Sequence, residues 1–247
     1  MADGVEALLD RFLEGIQEAV PLDALWAHGS LALGDFQPGR SDLDMIAVVR
    51  CAPDAAQRDR LQDLHRELEA AHPQAEKLHC SYVVRDRLPD HDVRHLTWAH
   101  RELMHRTVTP VSRRELRTGD LSLSGPPPSA LLPEVTDAEL ADFVRRDLRT
   151  FWLPATGKPV RWLQDIWVDL GALTTARAGV TLTDGRLISK GEALDVLPAL
   201  GAPPDLIDDI RARRYGTPQP LTAPQRVRRA RQARAFTRAA IQRVLTA

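Results

Sequence analysis

Residues 28–45 read HGSLALGDFQPGRSDLDM and contain a glycine–serine pair followed by an Asp-x-Asp pair. Gly29 and Ser30 follow a short apolar run, and after eleven further residues Asp42 and Asp44 stand two positions apart. Residues i and i+2 of a strand project from the same face, so the two carboxylates are expected side by side. Neighbouring carboxylates repel each other and lose hydration unless a cation lies between them.

A divalent cation bound to phosphates fits this pattern. Mg²⁺ prefers carboxylate and phosphate oxygens. Gly29 lets the backbone come close to a ligand, and the Ser30 hydroxyl and nearby N–H groups can donate to a phosphate. The pattern therefore predicts a metal–triphosphate site and in-line phosphoryl or nucleotidyl transfer. The alternative is a solvated cap at the start of a strand, with Gly-Ser as an ordinary turn.

The segments around this stretch alternate between helical and strand patterns. Residues 5–20 and 54–71 each carry an apolar stripe at helical spacing. Residues 44–50 form a β-branched apolar run, and residues 77–85 alternate as a half-buried strand does. We therefore predict an α/β (α+β) N-terminal domain with a small mixed sheet over residues 1–118.

The second half of the chain has a different pattern. Residues 119–135 are rich in Pro, Gly and Ser and are interpreted as a linker. Thr136 and Glu139 form a capping-box signature that opens an all-α helical bundle over residues 136–247. Helices are predicted over about 137–151, 160–179, 190–199, 204–212 and 223–246.

Composition narrows the class of protein. The chain has 247 residues and a formal net charge of −1, so no overall field attracts nucleic acid or membrane. Its apolar runs are shorter than the roughly 20 residues that span a bilayer, and its first residues lack signal-peptide features. Cys51 and Cys80 do not suggest a disulfide framework. A cytoplasmic location and no membrane partner are expected; the oligomeric state is not fixed, with a monomer favoured.

The stretch WAHGSLALGDFQPGRSDLDMIAVV (residues 26–49) resembles the signature of the polymerase-β-like nucleotidyltransferase superfamily. The order of the whole chain is similar to the aminoglycoside adenylyltransferases that modify streptomycin and spectinomycin, including their C-terminal helical domain. The resemblance implies Mg²⁺-dependent transfer of AMP from ATP to a hydroxyl of a small, polycationic acceptor, and hence antibiotic resistance. It also implies that Asp42 and Asp44 hold Mg²⁺ and that Gly29 and Ser30 bind the β- and γ-phosphates.

Two stretches of the second half resemble ATP-contacting parts of the same enzymes. They are LTTARAGVTLTDGRLISKGEAL (residues 173–194) and RARRYG (residues 211–216). The resemblance implies that Arg177, Lys190 and Tyr215 reach the nucleotide. Each could instead be a surface or packing residue.

One residue departs from the family pattern. The strand that carries a third carboxylate in the superfamily corresponds to KLHCSYVVR (residues 77–85), which places His79 at the acid position. A neutral imidazole can accept a proton from a hydroxyl, but it binds Mg²⁺ less well than a carboxylate does. His79 is therefore a candidate base. Alternatively the base lies elsewhere, such as Glu76, or is not needed, or the protein is a nucleotide-binding regulatory or antitoxin-type protein with weak or lost turnover.

The acceptor site is sought near residues 161–170. Trp162, Asp165 and Asp169 share one helical face, and carboxylates with a flat ring suit a polycationic acceptor. The alternative is that Trp162 belongs to a core stripe and the acids face solvent.

Two further features are interpreted as structural. His95, His100 and His105 invite a zinc interpretation, but their spacing would spread them around a helix. Residues 223–246 are basic and helical, with apolar residues at packing positions, so a bundle helix with a solvated Arg face is expected rather than a nucleic-acid partner. Transfer to a protein or an RNA stays as a further alternative.

Overall fold

The alternating N-terminal segments form a mixed sheet with helices. A computed structural model describes residues 3–246, and the chain separates into two units, Met1–Val135 and Thr136–Ala247. The elements of the first unit are, in chain order, α1 (Asp3–Ala19), β1 (Leu22–His28), β2 (Leu43–Val49), α2 (Ala55–Ala71), β3 (Leu78–Val84), β4 (Arg94–Ala99), β5 (Glu102–Thr107), α3 (Pro110–Gly119), β6 (Ser122–Ser124) and α4 (Pro128–Leu131). Short 3₁₀ turns cover Pro73–Lys77 and Arg85–Arg87.

The sheet has the order β5-β4-β3-β2-β1-β6. Strands β2 and β3 are parallel, and the other neighbouring pairs are antiparallel. A parallel pair needs a crossover connection, which α2 provides between β2 and β3. The mixed sheet predicted for this half of the chain is therefore confirmed.

Both faces of the central strands are covered, which explains why β2 is apolar almost throughout. Met45 and Ala47 belong to the core formed with α1 and α2. Ile46 and Val48 belong to the opposite core, which includes Leu116 of α3. Even-numbered positions of β2 therefore face α3, and this side of the sheet carries the candidate site.

Residues 119–135 are not an unpaired linker. They contain β6, which pairs with β1, and the Trp26 indole N–H donates to the Pro126 carbonyl oxygen at 2.8 Å. A side chain at Gly125, where φ is +74°, would lie 2.1 Å from the Asp23 carbonyl oxygen. The Pro- and Gly-rich composition here reflects close packing against β1, and the unit extends to Val135.

Residues 95–106 are a β-hairpin, so the helical interpretation of the three histidines was wrong. His95 lies in β4 and His105 in β5, and the intervening His100 and Arg101 have φ values of 54° and 65°. Positive φ at both central residues is typical of the tight turns that join paired strands. Alternation of residues such as Leu96 and Trp98 with polar neighbours was the signal for strands.

The second unit is helical, as predicted, which confirms the fold class. Its elements are α5 (Asp137–Asp147), a π-helical turn (Leu148–Trp152), α6 (Leu153–Ala155), a 3₁₀ turn (Pro159–Leu163), α7 (Asp165–Asp184), α8 (Lys190–Val196), α9 (Pro204–Tyr215) and α10 (Ala223–Thr246). Helix α7 runs further than predicted because its stop signal is Gly185, at φ +69°. Within residues 3–246, every helix is too short or too polar to cross a bilayer.

Candidate active site

Three polar residues lie in one row across the centre of the first unit's sheet. His28 on β1 is paired in register with Asp44 on β2, and Asp44 is paired with His79 on β3. By the alternation of the strands, all three face α3. The histidine that stands in the place of a third acid therefore lies directly beside the acid pair.

Each of the two acids has a basic neighbour. The ammonium nitrogen of Lys77 lies 3.7 Å from Oδ1 of Asp42, and Nδ1 of His79 lies 3.5 Å from Oδ1 of Asp44. The two acids therefore have partners within the protein, and a metal ion is not the only group that can lie beside them. Both pairs are partly exposed, and contacts of this kind contribute only about 0–1 kcal/mol.

The turn that follows β1 comes very close to Asp44. Gly29 has φ +63°, and a side chain added there would lie 2.8 Å from Oδ2 of Asp44. The amide groups of Leu33 and Asp35 donate to the Gly29 and Ser30 carbonyl oxygens at 3.0 and 2.9 Å, which gives the turn a fixed shape. Glycine is required here for two reasons, the left-handed backbone and the contact with the carboxylate.

A buried histidine–glutamate pair was not identified from the sequence. Nδ1 of His28 lies 3.4 Å from Oε2 of Glu115, which α3 supplies, and both side chains are largely buried. Burial lowers the pKa of His28, but the hydrogen bond with Glu115 and the charge of Asp44 raise it, and the net effect is a pKa above its usual value. A separation of 87 residues left no local pattern that could reveal this pair.

The row opens into a cavity of about 180 Å³ between the sheet and α3. Its polar lining includes Asp44, both row histidines, Ser81 and Ser112. Among residues 3–246 no group of three or more His, Cys, Asp or Glu side chains is arranged to hold a metal ion. Two carboxylates beside a glycine turn nevertheless suit Mg²⁺, because this ion commonly takes its other ligands from substrate phosphates and water.

The second unit brings two of its predicted nucleotide contacts close together. Nε of Arg177 donates to the Ile188 carbonyl oxygen at 2.8 Å, two residues before Lys190. Lys190 is the first residue of α8, whose start is fixed by a capping box at Ser189. Tyr215 ends α9 and is 42% exposed, with the Arg214 guanidinium 5.4 Å from the centre of its ring.

Two of the three residues expected at an acceptor site, Trp162 and Asp169, have other roles. Trp162 is 0% exposed in the helical core, and its indole N–H donates to the Ala155 carbonyl oxygen, so it cannot contact a ligand from solution. Asp169 receives hydrogen bonds from Arg213 at 2.7–3.1 Å. Burial raises the pKa of the Asp169 carboxyl more than the hydrogen bonds from Arg213 lower it.

Asp165 keeps a largely exposed side chain. Its Oδ1 accepts a hydrogen bond from the buried Arg229 at 2.5 Å, while 59% of the side chain remains accessible. It is therefore the one member of the expected acceptor set that still offers a carboxylate to solvent.

Comparisons with known proteins agree with this geometry. Residues 9–101, which contain the Gly-Ser turn and both acids, match the nucleotidyltransferase domain family. No curated protein sequence gives a significant match. The fold is similar to the crystal structure of spectinomycin adenyltransferase AAD(9) from Enterococcus faecialis with ATP and spectinomycin, with a TM-score of 0.72 and 12% identity over 94% of this chain and 98% of that one.

Residues 9–101 of the first unit therefore resemble a nucleotidyltransferase domain of the polymerase-β-like kind, and this similarity supports nucleotidyl transfer as the class of chemistry. Over nearly its whole length the chain has the fold of an aminoglycoside adenylyltransferase. The resemblance drawn from the sequence is thereby confirmed. At 12% identity the structural likeness concerns the fold alone.

Proposed function

We propose that the protein transfers AMP from ATP to a hydroxyl group of a small, polycationic acceptor of the aminoglycoside type. The observation that carries this proposal is the close approach of the Gly29 turn to Asp44, since a Cβ added at Gly29 would lie 2.8 Å from Oδ2 of the carboxylate. This approach supports a phosphate-binding role for the turn, because it would hold the phosphates beside Asp44 of the acid pair. If the two acids were only a solvated cap at the start of a strand, no glycine would be needed so close to the Asp44 carboxylate.

In the proposed reaction the acceptor oxygen attacks the α-phosphorus of ATP. The bond from that phosphorus to the bridging oxygen of the β-phosphate breaks, and pyrophosphate leaves. Asp42 and Asp44 would hold Mg²⁺, which neutralises triphosphate charge when it is bound. Gly29 and Ser30 would hold the terminal phosphates through their N–H groups and the serine hydroxyl.

His79 is the proposed base for the acceptor hydroxyl. Its Nδ1 faces Asp44, so Nε2 is the ring nitrogen left to accept the proton. Glu76 is a weaker candidate because it lies near Arg101, its side chain is 68% exposed, and it does not line the cavity.

From the second unit we propose that Arg177, Lys190 and Tyr215 contact the nucleotide. The hydrogen bond to Ile188 supports this role for Arg177, because it holds the guanidinium beside the start of α8, where Lys190 stands. Arginine and lysine side chains suit a triphosphate tail. For the acceptor we retain only Asp165.

A second candidate function is nucleotide binding without turnover, as in a regulatory or antitoxin-type protein. The contacts of Lys77 with Asp42 and of His79 with Asp44 favour it, because each acid already has a partner within the protein.

A single experiment separates these functions. The protein is incubated with Mg-ATP and with streptomycin, spectinomycin or a metabolite mixture, and an AMP mass increment and pyrophosphate are measured. Asp44→Asn should lower turnover about 100-fold or more, because charge placement at such sites has effects of that size. Asp63→Asn, which changes an exposed acid on α2, is the matched control and should retain full activity.

The outcomes point to different functions. ATP binding without any product would support the non-catalytic function. An AMP-modified protein or an extended RNA would show that the acceptor is a macromolecule instead of a small molecule. Unchanged turnover of Asp44→Asn would show that the metal assignment is wrong. Full activity of His79→Ala would remove His79 from the role of base.

A further inference from the structure

We propose that Glu115 is a positioning residue of the nucleotidyl-transfer site and that it acts through His28. This inference rests on the proposed function, because it concerns the same turn and the same acid pair. Glu115 lies outside the stretch from which the site was predicted, and His28, the first residue of that stretch, was given no role there.

The contact between the two side chains fixes the orientation of the imidazole. Nδ1 of His28 lies 3.4 Å from Oε2 of Glu115, and the exposed side-chain fractions are 14% and 8%. A carboxylate can only accept, so Nδ1 carries the proton. The hydrogen bond at one ring nitrogen fixes the tautomer and the orientation of the imidazole. Glu115 therefore determines how Nε2 of His28 faces the cavity that His28 lines.

His28 occupies a position from which this orientation matters. It is the last residue of β1, directly before Gly29, and it is paired in register with Asp44. A shift of its ring or backbone would therefore reach the proposed phosphate turn and the proposed metal ligand together.

Helix α3 supports the same turn at a second point. A side chain at Gly119 would lie 2.5 Å from Cβ of Ala32 and 3.2 Å from its carbonyl oxygen, so the last residue of the helix packs directly on the turn. With Glu115 one turn earlier, α3 contacts both the entry to the Gly29 turn and its middle. Leu116 anchors the helix in the core between these contacts.

A side chain that orients a ligand-holding group typically accounts for about 10–100-fold of affinity or activity. We therefore expect Glu115→Ala to weaken Mg-ATP binding by about 10-fold or more. Glu115→Gln keeps an oxygen acceptor for Nδ1–H and should retain affinity within about 3-fold, a smaller change than the full effect of an orienting partner.

The test is a double-mutant cycle on Mg-ATP affinity, measured by calorimetry on the full chain. Glu115→Ala, His28→Ala and the double variant are compared, and urea unfolding reports folding separately. If Glu115 acts through His28, the double variant should bind Mg-ATP no worse than His28→Ala alone. The matched control is Glu69→Ala, which removes a mostly buried carboxylate that lies 3.0 Å from Arg101, away from the cavity; its affinity should be unchanged.

Each outcome bears on the inference. Additive losses in the cycle, or an unchanged affinity of Glu115→Ala, would overturn it while leaving the proposed function standing. A loss in Glu115→Gln as large as that in Glu115→Ala would also overturn it. If the wild-type protein does not bind Mg-ATP, the proposed function fails and this inference fails with it.

Discussion

Replacing Gly29 by alanine tests the feature on which the candidate site depends most. Gly29 and Gly39 have nearly the same backbone conformation, with φ of +63° and +73°. A left-handed conformation costs a residue with a Cβ about 1–2 kcal/mol, so both alanine variants should lose stability by about that amount. They differ in their surroundings, since a Cβ at Gly39 meets nothing within 4 Å.

At Gly29 the new Cβ would lie 2.8 Å from Oδ2 of Asp44, closer than carbon and oxygen atoms normally approach. The carboxylate or the turn must therefore move by several tenths of an ångström. Displacements approaching 1 Å at a reacting centre can lower the rate by roughly 100-fold. We accordingly expect Gly29→Ala to lose most Mg-ATP binding and turnover, and Gly39→Ala to retain both.

Two measurements separate the backbone cost from the steric one. Urea unfolding gives the free energy of unfolding of each variant, and calorimetry gives the dissociation constant for Mg-ATP. Equal affinities in the two variants would refute the role assigned to the contact with Asp44. A much larger loss of stability in Gly29→Ala would place the effect in folding instead of in the site.

Two further predictions concern stability. Burial lowers the pKa of His65 to about 3, whereas the same side chain in the unfolded chain has a pKa near 6.5. The unfolded state therefore binds the proton first, and the free energy of unfolding falls as the pH drops below about 6.5. The free energy of unfolding should fall by about 2 kcal/mol between pH 7 and pH 5 by proton linkage. In urea unfolding, His65→Phe should show a fall that is smaller by that amount, and an equal fall in the variant and the wild type would contradict the assignment. In the second unit, Asp169→Ala leaves Arg213 partly buried without one of its acceptors and should lower the free energy of unfolding by about 3 kcal/mol. Asp195→Ala breaks an exposed pair with Arg211 and should cost under about 1 kcal/mol; similar losses in these two variants would show that burial does not decide the effect.

The fold was largely predictable where one local pattern dominated. Residues 223–246 have uninterrupted helical spacing, and α10 has those same limits. The strand β2 was predicted to within one residue, because its β-branched run is buried on both faces. Residues 119–135 were misjudged because β6 is only three residues long and depends on its pairing with β1, which composition does not encode.

The candidate site was predictable only in the parts that are close in sequence. The expectation that Asp42 and Asp44 share one face rests on strand geometry alone, and β2 includes Asp44 but begins only at Leu43. The pair of His28 and Glu115 depends on how α3 packs on the sheet, and the periodicity of the sequence does not predict that packing. Trp162 was misassigned because a buried aromatic residue and a ligand-contacting one give the same spacing, and only its 0% exposure separates them.

The neighbours of the acid pair have a consequence for how any cation binds there. Lys77 is a built-in counter-ion of Asp42, and Nδ1 of His79 lies beside Asp44, so an incoming cation exchanges with these contacts instead of meeting two unpartnered carboxylates. Because Lys77 also lies 3.4 Å from the Arg40 carbonyl oxygen, it has a second acceptor to hold it once Asp42 is released. Both acids can thus keep partners within the protein before a nucleotide arrives, and cation binding then becomes an exchange of partners.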